Sequence, residues 1–537
     1  MSERYFQQPS VMSAQQHFSQ APSAQIPRST FDRSHAYKST FDASYLIPFF
    51  IDEVLPGDTF DIKATLFARL ATPLKPIMDN MYLDVQFFFV PNRLVWENWV
   101  NFCGERVNPD DDPSIYSVPV VNVDLATLTD GNTIYEYMGL PTGRTGNVPV
   151  NAMPFRAYQL IWNEWYRDQN LQDSIVVSTG AGGDIISSIP LKRNKRHDYF
   201  TSCLPWPQKG NPVLIPIAPT APIRGIGIVP GVGAAPGQLV NESGIPGGTG
   251  NQQATYANDW GTENPGVKIQ QDPDNPGYPL IYAELAEATA VTINDLRLAF
   301  QIQKFLERDA RGGTRYIEKI FSHFGVKSDD ARLQRPEFLS TASVRININP
   351  VAATAPLPDA PQANLAAFGT SVNRCGFIKS FTEHGFVIGI CSARADLTYQ
   401  QGIERMWSRR TVNEYYWPTF AHLGEQAVLN KEIFVTGTAT DDDVFGYQER
   451  YAEYRYKPSR ITGLFNSGAT ASLDVWHLSQ EFSALPVLNA SFINEDVPVD
   501  RIIAVPGEPH FLLDAWIGFK CTRPMPVYSV PGLIDHF

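Results

Sequence analysis

The densest chemistry in the chain is a basic run, Lys192, Arg193, Lys195 and Arg196 followed by His197, which places four cations in five positions. In a protein of formal charge −13, that concentration suits phosphate, because neutralising phosphate releases counterions and needs no reading of bases. A solvated loop or an inter-subunit salt-bridge site is the competing reading. Arginine and tyrosine interleave again in Arg450-Tyr451-Ala452-Glu453-Tyr454-Arg455-Tyr456-Lys457. Their aromatic faces could stack on unpaired bases, but packing at a protein interface is the preferred reading.

Enzyme motifs fail at particular places. Gly225-x-Gly227 is followed by Pro230, with no strand–glycine loop–helix unit around it, so it is no dinucleotide loop. G-x-x-x-x-G-K-[ST], H-E-x-x-H and G-x-S-x-G do not occur. Asp272, Asp274 and Gly277 suit a calcium loop, but Pro276 cannot ligate through its side chain and the twelfth position is Ala283. Asp441-Asp442-Asp443 reads as a solvated acidic loop. Cys103, Cys203, Cys375, Cys391 and Cys521 are odd in number, widely spaced and without C-x-x-C, so they read as buried thiols. No catalytic residue, cofactor or metal ligand is expected.

The elements that must carry these residues are mostly strands. Forty-two prolines and 38 glycines in 537 residues punctuate the chain too often for a helical bundle. Phe60, Ile62, Ala64 and Leu66 alternate with mostly polar neighbours, and Tyr82 to Val90 is a second β-prone run. Further strands are expected at Ser174–Ser178, Val344–Ile348, Phe386–Cys391, Arg501–Val505 and Phe511–Phe519. Strands scattered over the whole length predict one barrel or sandwich drawn from distant pieces. Helical stripes interrupt at Val95, Trp99 and Phe102, at Phe155 to Trp165, at Thr292 to Gly312, and at Ile317 to Phe324.

Residues 1–40 form an expected N-terminal arm with six glutamines between Gln7 and Gln25. Lacking apolar periodicity, it can be ordered only against a body, a neighbouring subunit or a nucleic acid. Its cations Arg4, Arg28, Arg33 and Lys38 are DNA-contact candidates together with the basic run. Met1 to Gln25 has no apolar h-region, which leads to the expectation of a protein kept in a cytoplasm. Residues 41–537 are read as a single body. Within it, residues 205–280 are a Pro/Gly-rich outward projection and 284–325 a helical insertion. Thirteen prolines and 13 glycines lie between Pro205 and Pro279, and closing so long a loop costs roughly 4 kcal/mol because closure entropy grows only logarithmically.

Several long strings are similar to the major capsid proteins of gokushoviruses in the Microviridae. They include IPRSTFDRSHAYKSTFDASYLIPFFIDEVLPGDTF from Ile26, MDNMYLDVQFFFVPNRLVWENW from Met78, KRHDYFTSCLPWPQKG from Lys195 and ERDARGGTRY from Glu307. SHFGVKSDDARLQRPEFL from Ser322, RADLTYQQGIERMWSR from Arg394, FGYQERYAEYRYKPS from Phe445 and the terminal RPMPVYSVPGLIDHF complete them. The likeness is weak over Pro205 to Pro279.

The resemblance implies a mainly β fold, a viral jelly roll (eight-stranded antiparallel β-barrel) with long insertion loops and a few helices. It also implies a T=1 shell of sixty copies of the chain around a circular single-stranded DNA genome, assembled in the host bacterial cytoplasm. A threefold protrusion used in host attachment would draw on Gly225, Gly231, Gly237, Gly247, Trp260 and Gly266. Subunit-interface candidates are Tyr454, Tyr456, Pro526, Tyr528, Pro531 and Phe537, the last four in a Pro-rich tail that cannot pair as a central strand. Implied partners are a small basic DNA-binding protein, an internal scaffolding protein, a minor pilot protein and a host-cell surface receptor. The competing readings are an all-β carbohydrate-active enzyme and a free host-attachment protein.

Overall fold

The computed structural model describes residues 27–528, except 106–107, 109, 111, 113–114, 212, 214–222, 225, 230–239, 243–251, 255–265, 270–281, 284–292, 313–317, 319–321, 325–333 and 356–361. Two compact units are present, Met1–Pro207 with Val326–Phe537, and Gln208–Gly325.

In the first unit, alternation of apolar and polar side chains sets the strands. β1 (Ser29–Asp32), β2 (His35–Phe41), β3 (Ile47–Val54), β4 (Thr59–Leu70) and β5 (Met81–Pro91) come before the long insertion. β6 (Glu337–Ala352), β7 (Leu365–Ser380), β8 (Gly385–Ala395) and β9 (Phe511–Arg523) follow it. All pairings within this sheet are antiparallel, and the strand order is β1-β9-β4-β7-β6-β5-β8-β3 with β2 also on β9. Cut between β7 and β6, this is two four-stranded layers, β2-β9-β4-β7 and β6-β5-β8-β3. Strands β2 to β5 alternate between the layers, which is the connectivity of a jelly roll.

β6 itself joins the layers. Its residues Glu337 to Ile346 pair with β5, and Asn347 to Ala352 pair with β7. The core lies between the layers. Phe60, Ile62, Ala64, Leu66, Ala68 and Leu70 from β4 meet Leu83, Val85 and Phe87 from β5 and Phe511, Leu513, Ala515, Ile517 and Phe519 from β9. Phe519 stands 4.8 Å from Phe60 in its own layer and 5.8 Å from Phe50 in the other, ring centre to ring centre. Phe50 and Phe87 continue the contact within the second layer.

The two layers are covered differently. Every residue of β8 is buried, because helix α1 (Met153–Ile161) lays Phe155, Tyr158 and Ile161 over Phe88, Val90, Ile388 and Ile390 on its outer side. Gly389 of β8 leaves room for rings: a Cβ there would meet Phe87 at 2.7 Å and Phe49 at 3.0 Å. In β4 and β9 only alternate residues are buried.

Three expectations change. Ser174–Ser178 is irregular, since the Ile175 N–H and carbonyl are both taken by the side chain of Asn163 at 3.0 and 2.7 Å. Arg501–Val505 is no strand either; a 3-10 turn over Val499–Arg501 drops Ile502 and Ile503 into the core. The last residues of the arm, from Ser29, are ordered against the body, one of the supports expected for them, as edge strands on β9. Cys103 is exposed, while the other four thiols are buried.

In the second unit, three short antiparallel pairs nest inside one another: Ile223–Arg224 with Tyr282–Ala283, Ile226–Val229 with Gly266–Ile269, and Val240–Glu242 with Gln252–Ala254. The Pro/Gly-rich segment thus contains an interrupted ribbon, not only loop. Helix α2 (Ile293–Arg311) ends at Gly312 as its sequence predicts. Of the helix expected at Ile317 to Phe324, Glu318 and Ser322 to Phe324 are helical, and the other four residues lie outside the described residues.

Removing the ring that touches both layers is the sharpest test of this packing. Phe519→Ala is expected to cost about 3–5 kcal/mol, read as a lower urea midpoint of the soluble chain with unchanged m-value.

Candidate functional site: the basic run and the aromatic surface

Residues 191–195 run as an irregular segment stitched on both sides by backbone hydrogen bonds. Leu46 and Arg193 pair with Leu191 and Ser44 (N–H to carbonyl, 2.9 Å each), while the Lys195 and Glu495 N–H groups donate to Ile493 and Arg193 at 2.8 and 3.0 Å. This fixes where the four cations point. Arg193 donates to Asp84 of β5 at 2.7 Å and to the Ser392 hydroxyl of β8 at 2.8 Å, with Glu495 3.8 Å away. Arg394 binds the same Asp84 at 2.5 Å. Lys195 donates to Gln480 at 2.8 Å and lies 4.4 Å above the Phe492 ring. Lys192 pairs with Asp496 at 3.1 Å, and Arg196 with Asp396 at 3.7 Å.

Arg193 and Lys195 are therefore internal clamps, each partnered within the chain, and of the four cations only Lys192 and Arg196 turn substantial charge outward. Spacing alone could not reveal this, because the acidic partners come from strands and loops far along the sequence. Arg28 donates to the Gly57 carbonyl at 2.5 Å and Thr59 at 2.9 Å; Arg33 grips Asp52 and stacks on Phe519. Lys38 is 73 % exposed and 2.9 Å from Asp514. Arg4 lies outside the described residues, as do Gly225, Gly231, Gly237, Gly247, Trp260, Pro531 and Phe537. Gly266 opens a ribbon strand. Pro526 and Tyr528 are exposed.

Tyr454 and Tyr456 are half exposed. The Arg409 guanidinium sits 4.3 Å over the Tyr454 ring and 5.6 Å from that of Tyr415, and it is itself paired with Glu453 at 2.8 Å. Tyr416 packs against Tyr451 and Tyr454. With Trp407 and Trp417 also exposed, the second long insertion, residues 396–510 between β8 and β9, presents an aromatic surface suited to a protein partner, since interface cores are enriched in aromatics and arginine. Tyr415, Tyr416 and Trp417 were missed from sequence, although they form a visible run of three aromatics before Pro418.

Burial pushes the Glu495 carboxyl up to about 8 from 4.5, with Arg193 and Lys195 opposing the shift and Asp84 adding to it. A carboxyl with a raised folded-state value favours folding most when protonated. Its contribution is full below pH 4.5 and is lost as pH rises through about 8. Glu495→Gln is expected to flatten that part of the stability–pH curve; a variant curve with the wild-type slope between those limits would contradict the assignment.

The comparisons with known proteins agree with this architecture. The family described as "Capsid protein (F protein)" matches residues 19–533. The chain is 47 % identical to capsid protein VP1 of Bdellovibrio phage phiMH2K over 97 % of this chain and 98 % of that protein. It is 46 % identical to capsid protein VP1 of Chlamydia phage 1, over 98 % of both. With capsid protein VP1 of Spiroplasma virus 4 it shares 35 % identity, over 96 % of this chain and 97 % of that one. A jelly roll with long insertions, matched end to end by these relatives, identifies a structural, non-enzymatic protein of the virion: the chain belongs to the phage capsid protein (F protein) family, among the major capsid proteins of gokushoviruses.

Proposed function

We propose that sixty copies of the chain build a T=1 icosahedral shell around a circular single-stranded DNA genome, assembled in the bacterial cytoplasm. The observation that carries this is the match of the jelly roll and both insertions to VP1 capsid proteins over nearly the whole length. The aromatic surface around Tyr415 and Tyr454 supports it, because shell subunits need large obligate contacts, commonly above about 2,000 Å². Tyr456, Pro526 and Tyr528 extend the candidate contact set.

Residues 205–280 serve as the outward protrusion that meets a host-cell surface receptor. A small basic DNA-binding protein, an internal scaffolding protein and a minor pilot protein complete the particle. Among the basic-run residues, Lys192 and Arg196 have the exposure to meet phosphate, whereas Arg193 and Lys195 hold the subunit together.

Purified particles, formed alone or with the scaffolding protein, are expected to be closed and uniform, with a mass of about sixty times 59.9 kDa. A chain that stays monomeric under both conditions would overturn the shell reading. Exchanging residues 225–266 for a relative's segment is expected to alter host adsorption and leave particle yield unchanged; loss of particles would make the segment a structural brace.

A further inference from the structure

The β2-β9-β4-β7 layer has one face with no cover among the described residues. On it, Phe67 of β4 is 42 % exposed and Trp516 of β9 is 55 % exposed. Phe67 stands opposite Asp514, two residues from Trp516, so the rings are diagonal cross-strand neighbours, a relation that spaces residues about 7–8 Å apart. Four cations surround the pair. Lys38 lies in the row of Phe67 and Arg374 in the row of Trp516, while Arg69 and Lys63 occupy the rows beyond them.

Arg69 and Arg374 make no ion pair among the described residues, unlike Lys192, Arg193 and Arg196 of the basic run. Lys63 is 80 % exposed and only 4.0 Å from Asp61, its neighbour on the same strand. Asp514 is held by Lys38. An antiparallel sheet that offers bare aromatic rings ringed by cations matches unpaired nucleotides, whose bases expose flat faces for stacking while their phosphates seek positive charge. A second copy of the chain fits less well, since protein interface cores are depleted of charge.

We propose that this open sheet face is a platform for single-stranded DNA, with bases on Phe67 and Trp516 and phosphates on Lys38, Lys63, Arg69 and Arg374. It rests on the reading that the shell encloses such a genome, and it adds a contact on the sheet to the two outward cations of the basic run.

The test is fluorescence anisotropy of a labelled oligodeoxythymidine with the full-length chain, beside electron microscopy of the particles. Phe67→Ala and Trp516→Ala are each expected to weaken binding about 5- to 150-fold, the range for losing one stacked base. Arg69→Gln and Arg374→Gln are each expected to reduce the salt-dependence slope by about 0.7. All four side chains point to solvent, so the variants should keep the wild-type unfolding midpoint. Unchanged oligonucleotide binding with intact shells would overturn the proposal. Unchanged binding with lost shells would also overturn it, in favour of a second copy on this face. The shell reading stands or falls separately, on the wild-type particles.

Discussion

A sheet that is apolar on both faces cannot stand at the edge of a subunit, and β8 is such a strand: all of its side chains are buried, and its neighbour β5 nearly matches it. One face meets the other layer through the rings of Phe50, Phe87 and Phe519. The opposite face must be covered by something else, and the insertion after β5 supplies helix α1 for that purpose. At about 1.5–3 kcal/mol for each large apolar side chain taken from water, this cover is a condition of the fold. The long insertions are therefore partly structural, whatever they contribute to the particle surface.

The same logic explains the basic run. Asp84 projects from β5 into the covered side, where an unpaired carboxylate would be strongly destabilising. Arg394 from β8 and Arg193 from the insertion neutralise it, and Glu495 from the second insertion closes the group. The chain thus ties two distant insertions to the central sheet with charge and with the backbone stitching around residues 191–195. Removing one member leaves the others buried and unsatisfied, so the cluster acts as a unit.

Among the described residues the β2-β9-β4-β7 layer has no comparable cover, and its outer residues are open to contacts. Its apolar and basic side chains alternate with core residues on the same strands, so one β strand carries both packing and recognition. The second insertion contributes aromatics of another kind, arranged around Arg409 and its partner Glu453, away from strand periodicity.

Residue order alone determined the long strands: the period of two in Phe60 to Leu66 and in Phe511 to Phe519 is local and survives any tertiary setting. It likewise determined the end of α2 at Gly312 and, through long shared strings, the family. It could not decide which apolar runs pair. Ser174–Ser178 has strand-like residues, yet Asn163 takes its backbone bonds, and Arg501–Val505 plugs the core as a turn. Nor could it decide which cations are free, because Asp84, Glu495 and Gln480 reach Arg193 and Lys195 only after the sheets and insertions come together. Charge is counted along the chain, but its availability depends on the partners that folding brings within a few ångströms.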